Sequence, residues 1–315
     1  MTERRTSDAR GTEVRAAPTL GLAGAGASSY DAVPYPGRAF PQAHPNRLAT
    51  MATLFGMKPA PVERCRVLEL ACGDGANLIP MAFGLPHSDF VGMDLAARPI
   101  ARGQALVEAL GLTNIRLLQL NLMDVTADLG VFDYIIAHGV YSWVPPAVQD
   151  KILAICKAHL APQGVAYVSY NIYPGYHLQG LARDLMRFHV RTFLDPEEQV
   201  TEALAFLGFL AESQPEPDTY RTVLKQRLED LLERPKHTVY HDELAEINLP
   251  VYFHRFVEHA GRHGMQFLSE ATFSSMQDQA FPDRVREALL ALAQGDIVLK
   301  EQYLDFLKCR KFRQT

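Results

Sequence analysis

The sequence predicts an α/β fold, a mostly parallel sheet covered by helices on both faces and carrying a helical insertion. Three observations predict it. Short β-rich runs alternate with helical stretches from Arg66 to about Tyr173. An apolar strand runs straight into a glycine turn at VLELACGDGAN, Val67 to Asn77. After Pro174 and Gly175 the texture changes to helices. Strand and helix in alternation argue for a parallel sheet, because parallel strands need crossovers and helices supply them.

The chain has 315 residues, enough for about two domains at roughly 150 residues each. With 48% hydrophobic and 21% charged residues it has the balance of a globular protein, which excludes collagen-like and fully disordered readings. The four cysteines, Cys65, Cys72, Cys156 and Cys309, form no CxxC pair, so neither a disulfide scaffold nor a zinc ribbon is expected. Net charge −5 and pI near 6.1 give no reason to expect nucleic acid or an anionic membrane as main partner. No apolar run reaches the ~20 residues of a membrane helix. Arg4, Arg5, Arg10 and Arg15 are interspersed with Glu3, Asp8 and Glu13, unlike an acid-poor transit peptide. A cytoplasmic location is expected.

Residues 1–28 have almost no large apolar side chains and are expected to form a mobile tail. Residues 29–56 read as a lid: Pro34, Pro36, Pro41 and Pro45 keep the chain extended, Tyr30, Tyr35 and Phe40 offer aromatic anchors, and Leu48, Met51, Ala52 and Phe55 show helical spacing up to Gly56. The sheet domain spans 57–176. Its expected strands are Arg66–Leu70, Asp89–Met93, Ile115–Leu120, Phe132–Ala137 and Gly164–Asn171, with helices opening near Ala76, over Ala97–Leu110 and over Pro146–Leu160. The insertion, 177–250, reads as helices His177–Leu194 and Glu197–Glu212, with Asp195 and Pro196 as cap and first turn, then a helix after Asp218 that ends at Pro235. In 251–315 the sequence predicts a helix over Val251–Arg262, a strand over Met265–Glu270, and two helices between Pro282 and Lys308 that part near Gly295.

Chemistry is concentrated where strands end. Gly73 and Gly75 let the backbone turn tightly at the carboxyl end of the first strand, where open α/β sheets bind ligands. A GxGxxG dinucleotide fingerprint would need a third glycine, but Leu78 stands there. Asp94 closes the next strand about 20 residues on, the distance at which an acid meets ribose hydroxyls. Asn121 and Asp124, just past the third strand, are placed to reach an adenine edge. His138, Tyr141 and Trp143 in HGVYSWVP follow the fourth strand, and Asn171 and Tyr173 in SYNIYPGYH end the fifth. His237 with His241 and His259 with His263 have i, i+4 spacing, but neither pair has HExxH or an evident third ligand, so no metal is expected. GxSxG and GxxxxGK[ST] are absent, and Cys156 reads as a core residue.

ELACGDG, the later Asp94, and LNLMD followed by FDYIIAHGVYSWVP resemble the successive motifs of class I S-adenosylmethionine-dependent methyltransferases, whose fold is Rossmann-like. SYDAVPYPGRAFPQAHPNRLAT, HGVYSWVP, SYNIYPGYH and FLKCRKFRQT narrow the resemblance to bacterial methyltransferases with a regulatory domain, similar to rickettsial protein-lysine methyltransferases. The resemblance implies S-adenosyl-L-methionine as cofactor. It places the methionine portion against Glu69, Gly73 and Gly75, the ribose against Asp94 and adenine against Asp124, with Ala71, Cys72, Asn77, Leu95, Asn121, Tyr30, Tyr35 and His138 as further cofactor contacts. Cys72 stands where the class often has glycine, a variation the narrower family tolerates. Tyr30, Asp31 and Tyr35 are expected to close over the site.

His138 is expected to steady the cofactor or relay a proton. Tyr141 and Trp143 would wall the acceptor channel by cation–π contact, and Asn171 and Tyr173 would face the same cleft. The topology implies seven strands, with Met265–Glu270 the sixth and Cys309–Gln314 a seventh inserted between fifth and sixth. The implied reaction is methyl transfer to a protein nucleophile, lysine being favoured by resemblance alone. A small-molecule methyltransferase, with the helical insertion as a closed lid, and an inactive cofactor-binding scaffold are the alternatives, and an NAD-dependent oxidoreductase is a distant fourth. The expected partners are the methyl acceptor and a second copy in a homodimer. Chains of this family usually continue past the FRQT segment, so a short member or a piece of a longer chain is expected.

Overall fold

The computed structural model describes Val33 and residues 35–315. The expected tail, and the lid positions Tyr30 and Asp31, lie outside them. Among the described residues there are six strands and eleven α-helices. Residues 35–44 run without regular structure except a single 3-10 turn at Pro41–Ala43. Helix α1 (Pro45–Leu54) follows, started by Pro45 and by the His44 side chain, which accepts from the Asn46 N–H.

The sheet alternates as expected: β1 (Arg66–Leu70), α2 (Leu78–Gly84), β2 (Asp89–Asp94), α3 (Ala97–Ala109), β3 (Ile115–Gln119), β4 (Phe132–Ala137), α4 (Pro146–His159) and β5 (Leu160–Asn171). Strand order is β3-β2-β1-β4-β5-β6, with β1 to β5 parallel and β6 (Phe312–Gln314) antiparallel to β5. The order reverses between β1 and β4, so a crevice opens above their carboxyl ends, the usual ligand position in such sheets.

Alternate residues serve opposite faces. Val67, Phe90, Ile136 and Tyr167 pack with α1, α2 and α3, whereas Leu68, Leu70, Ile135 and Val168 pack with Ile152, Leu153 and Cys156 of α4 and Phe256. Cys156 is thus a core residue. Helices α5 (Tyr176–Val190), α6 (Pro196–Glu212), α7 (Thr219–Leu232) and α8 (Lys236–Glu243) enclose their own core, with Met186, Leu207, Leu224, Leu231 and Val239 at its centre. Asp195 and Asp218 cap α6 and α7 as the sequence suggests, accepting from Glu198 and Arg221 N–H at 2.8 Å each. Helix α8 adds to the helices expected of the insertion, the last of which ends at Pro235.

The last part comprises α9 (Phe253–Arg262), α10 (Asp283–Ala293), α11 (Ile297–Lys308) and β6. Seven strands become six. Met265–Glu270 is not a strand, because its ladder is interrupted: the Glu270 carboxylate accepts from Gln314 N–H at 3.1 Å in place of a carbonyl, the Glu270 N–H turns to Met276 Sδ, and only Ala271 N–H donates to Gln314 O. The final strand is shorter than Cys309–Gln314, because Cys309 ends α11 in the left-handed region at φ 45°. Gln314, Arg313 and Phe312 pair with Ser169, Tyr170 and Asn171 of β5.

That short edge strand is held by charge. The Arg313 guanidinium is fully buried, donates to Asp305, Glu301 and Glu270, and lies 3.7 Å from the Phe253 ring centre. Arg310 adds a second cation, 3.0 Å from Asp305. No helix among the described residues is long and apolar enough to cross a membrane.

Candidate cofactor site

At the carboxyl end of β1 the chain must turn back beneath α2, and three left-handed residues do it: Ala71 (φ 56°), Gly73 (φ 58°) and Gly75 (φ 76°). A Cβ at Gly73 would meet nothing within 4 Å, so conformation calls for glycine there and the ligand side stays open. Cys72 N–H donates to Met93 O at 3.0 Å and fixes the turn to β2. Asp94 completes the bracing: Oδ2 accepts from Gly73 N–H and Oδ1 from Ala96 N–H, each at 2.8 Å, so the acid closes the turn and also starts α3. A carboxylate has about four acceptor positions and can take hydroxyl donors as well as backbone ones.

Leu78 in place of a third glycine is compensated by glycines elsewhere. A Cβ at Gly92 of β2 would sit 3.1 Å from Leu78 Cδ2 and 2.8 Å from Cys72 Sγ. One at Gly103 of α3 would sit 2.3 Å from the Asp74 carbonyl oxygen. The close helix–sheet approach is therefore made at Gly92 and Gly103, which the motif reading missed; only their place on apolar faces signalled it.

Beneath the turn lies Glu69, 3% exposed. Its Oε1 accepts from Asn77 Nδ2 at 2.7 Å, and its Oε2 has no protein partner. Burial, reinforced by the nearby Asp94 charge and opposed by the Asn77 bond, pushes its carboxyl up to about 8. Once ionised, such a group seats a cation.

Asn77 also ties down the chain that crosses the site. Its Oδ1 accepts from Phe40 N–H at 2.8 Å, and the Phe40 ring stacks on His138 with centroids 3.6 Å apart. Glu69 pairs in register with Ile136 of β4, and His138 follows two residues on, just past the end of that strand. Its Nδ1 lies 2.8 Å from the Tyr167 hydroxyl, and burial lowers its pKa to about 4, so the imidazole is neutral at physiological pH. Further back, Tyr35 makes edge contacts with His237 and His241 of α8, and His241 Nε2 lies 2.8 Å from Val33 O. The strap thus spans from the helical insertion to the sheet. Gly37 sets its height: a Cβ there would lie 2.3 Å from Asp74 Oδ1 and 2.5 Å from Ala76 Cβ.

At the outer side, Leu95 and Met123 expose 60% and 45% of their surface. Asn121 Oδ1 accepts from Met123 N–H at 2.9 Å, which starts the 3-10 turn Leu122–Asp124, and Asp124 is exposed.

The structure therefore brings together Glu69, Ala71, Cys72, Gly73, Gly75, Asn77 and Asp94, with His138 joined to them through Phe40. The remaining expected positions divide. Trp143 is half-buried in the turn after β4. Asn171 is buried, its Nδ2 donating to Asn248 Oδ1 at 3.1 Å, and Tyr173 stacks on His177 at 4.1 Å. Tyr141 requires a correction. It is 2% exposed and packs on Tyr170 and Phe256 in the core beneath α4 and α9, with its hydroxyl 2.8 Å from His259 Nδ1, so it walls no channel. A histidine pair without a third ligand also needs correcting. Asp150 of α4 lies between His259 and His263, within 3.1 and 2.8 Å of their Nε2 atoms.

A mostly parallel sheet with this glycine turn, buried acid and second acid defines the class I methyltransferase architecture. A family model described as methyltransferase domain matches residues 68–166, and one described as predicted methyltransferase regulatory domain matches 235–315. The chain is 40% identical over 287 residues to the uncharacterized protein RP789 of Rickettsia prowazekii, covering 91% of this chain and 52% of RP789. It is 36% identical over 241 residues to RP028 of the same organism, covering 76% of this chain and 96% of RP028. The structure of PKMT2 from Rickettsia typhi in complex with AdoHcy superposes with a TM-score of 0.82 at 36% identity, over 90% of this chain and 54% of that one. The chain belongs to the bacterial family that joins a methyltransferase domain to this regulatory domain. It spans about half the length of RP789 and of PKMT2. The regulatory match falls on α8 to β6, so it takes in the end of the 177–250 insertion and all of 251–315.

Proposed function

We propose that the chain binds S-adenosyl-L-methionine over the carboxyl ends of β1 to β3 and transfers its methyl group to a protein amine, lysine being favoured. The observation that carries the reading is Glu69, a buried carboxylate with one oxygen held by Asn77 and the other without a protein partner, under an open glycine turn. Those residues fit the cofactor. The free Oε2 suits an ammonium group, Asp94 suits vicinal hydroxyls, and exposed Leu95 and Met123 suit the faces of a flat heteroaromatic ring. When bound, the cofactor supplies a methyl group on a positively charged sulfur.

The protein's own part is positioning and dryness. The Phe40–His138 stack, tied to Asn77 through the Phe40 N–H, is the roof we assign to the crevice. Because His138 stays neutral, the roof presents no cation to a positively charged ligand. A lysine acceptor, with an ordinary pKa near 10.4, is about 3.4 units uphill at pH 7, roughly 4.6 kcal/mol. A histidine held near 4 is too weak a base to remove that proton, so the amine must arrive neutral from solvent. At saturating cofactor, the rate on a lysine substrate should therefore rise about tenfold per pH unit between pH 7 and 9, without an inflection near 6.5. An inflection there would assign the base to an ordinary histidine instead.

Incubation of the chain with radiolabelled S-adenosylmethionine and a bacterial protein extract tests the acceptor class. The expected label precipitates with protein, is recovered as methyl-lysine, and is lost when lysines are blocked beforehand by acetylation. Label in a low-mass product that separates chromatographically from the unreacted donor would indicate a small-molecule acceptor. Cofactor binding without turnover would indicate a scaffold.

Gly37→Ala tests the strap. The added methyl forces the strap off the turn at a cost of about 1–3 kcal/mol, so AdoHcy affinity should fall roughly tenfold and trypsin should cleave faster after the exposed Arg38. Unchanged affinity and cleavage would remove the strap from the site.

A further inference from the structure

We propose that Asp150, His259 and His263 form a binding site for a zinc-class divalent cation that pins the regulatory domain to the methyltransferase domain. The three side chains come from two elements far apart in sequence. His259 lies on α9 and His263 is the residue that ends it, one turn further along. Asp150 lies on the first half of α4, and its Oδ1 is 3.1 Å from His259 Nε2 and 2.8 Å from His263 Nε2. All three donor atoms fall within 4.8 Å of one another. Donors around a tetrahedral zinc at about 2.0–2.1 Å stand roughly 3.3 Å apart, so Asp150 Oδ1 needs to draw back from each imidazole by only a few tenths of an ångström.

A second observation points the same way. The other nitrogen of His259, Nδ1, lies 2.8 Å from the hydroxyl of the buried Tyr141. With Nδ1–H donating to that oxygen, Nε2 keeps its lone pair for a cation, the arrangement by which a neighbouring acceptor orients a ligating imidazole. The imidazoles are mostly buried, with side-chain exposures of 12% and 17%, whereas Asp150 is 60% exposed. The site is thus walled by protein on the histidine side and open to water for the remaining positions. Two imidazoles and one carboxylate suit zinc, cobalt and nickel better than magnesium or calcium, which favour all-oxygen ligand sets.

Placement gives the cation its role. Asp150 falls within the stretch matched by the methyltransferase domain, 68–166, and the histidines within the regulatory match, 235–315. The inference does not rest on the proposed reaction.

The test uses the untagged chain, freed of metal by chelation and titrated with zinc chloride by calorimetry, and with cobalt chloride by visible absorption. One zinc per chain at micromolar affinity or tighter, a cobalt spectrum of low coordination number, and a Tm that rises with zinc are expected. Asp150→Asn combined with His263→Ala should abolish binding while circular dichroism and AdoHcy binding remain those of the metal-free parent. Tyr141→Phe should weaken zinc binding about tenfold by freeing the His259 ring. No zinc binding, or zinc binding undiminished in the double variant, would overturn the proposal.

Discussion

Glu69→Gln should abolish cofactor binding and at the same time stabilise the empty protein. The substitution keeps the acceptor for Asn77 and removes the charge that faces the ligand. Losing a charged hydrogen bond in a buried site costs about 3 kcal/mol, which is at least 100-fold in AdoHcy affinity. Stability moves the other way. The Glu69 carboxyl is raised from 4.5 to about 8 by burial, so between those values the unfolded chain is ionised while the folded chain holds a proton. Folding then takes up a proton, and stability falls as pH rises from about 5 to about 8, by a total of about 5 kcal/mol. Glutamine escapes this loss, offset in part by its own unpaired amide at about 1–3 kcal/mol.

Thermal unfolding of the empty forms should accordingly show the variant above wild type at pH 8.5 and not above it at pH 4.5. The same ionisation governs binding, since an ammonium needs the carboxylate. Wild-type AdoHcy affinity should rise up to tenfold per pH unit from 6 to 7 and level off near 8. Equal Tm values at pH 8.5 together with intact binding would show that Glu69 neither bears buried charge nor meets the ligand.

Arg313→Ala should be the most destabilising single change. The guanidinium is the shared partner of Glu270, Glu301 and Asp305, all buried, and its removal leaves Glu301 and Asp305 to Arg310 and leaves Glu270 with neutral donors from Gln314 and Thr315. Breaking a buried pair from one side costs about 3–5 kcal/mol, a large share of the 5–15 kcal/mol that holds a typical domain. Lysine will not substitute, because a single ammonium cannot reproduce the fork that reaches three acids at once. The orphaned carboxylates can persist only protonated, so the defect should be deeper at pH 8 than at pH 5. Thermal unfolding at both values, with proteolysis of the β6 segment, measures it. A loss below about 1 kcal/mol would mean that β6 is held by its ladder to β5 alone.

The parts that sequence made legible are those where a single stretch carries its own signal. Val67 to Asn77 shows an apolar run, a terminal acid and two glycines, and the structure builds the turn from those residues. Asp94 ends its strand where expected, and Asp195 and Asp218 cap the helices they precede. Parts that depend on distant partners were not legible. Asp150 stands 109 and 113 residues from the two histidines it joins, beyond any spacing rule. Tyr141 sits in a loop motif whose aromatic residues serve a cleft or a core equally well, and only Tyr170 and Phe256 decide for the core. Met265–Glu270 has the composition of a strand, yet Glu270 gives its side chain to Gln314 and Arg313 and breaks the pairing. Gly37 resembled any loop glycine until Asp74 and Ala76 appeared beneath it.

Calorimetric titration of the purified chain with AdoHcy, with NAD as competitor and Asp94→Ala as the control variant, tests the central claim most directly. One site per chain at micromolar affinity, indifferent to NAD and lost in Asp94→Ala, is the predicted result. A folded chain that binds no AdoHcy, or one from which NAD displaces it, would contradict the assignment of the β1–β3 crevice to S-adenosylmethionine.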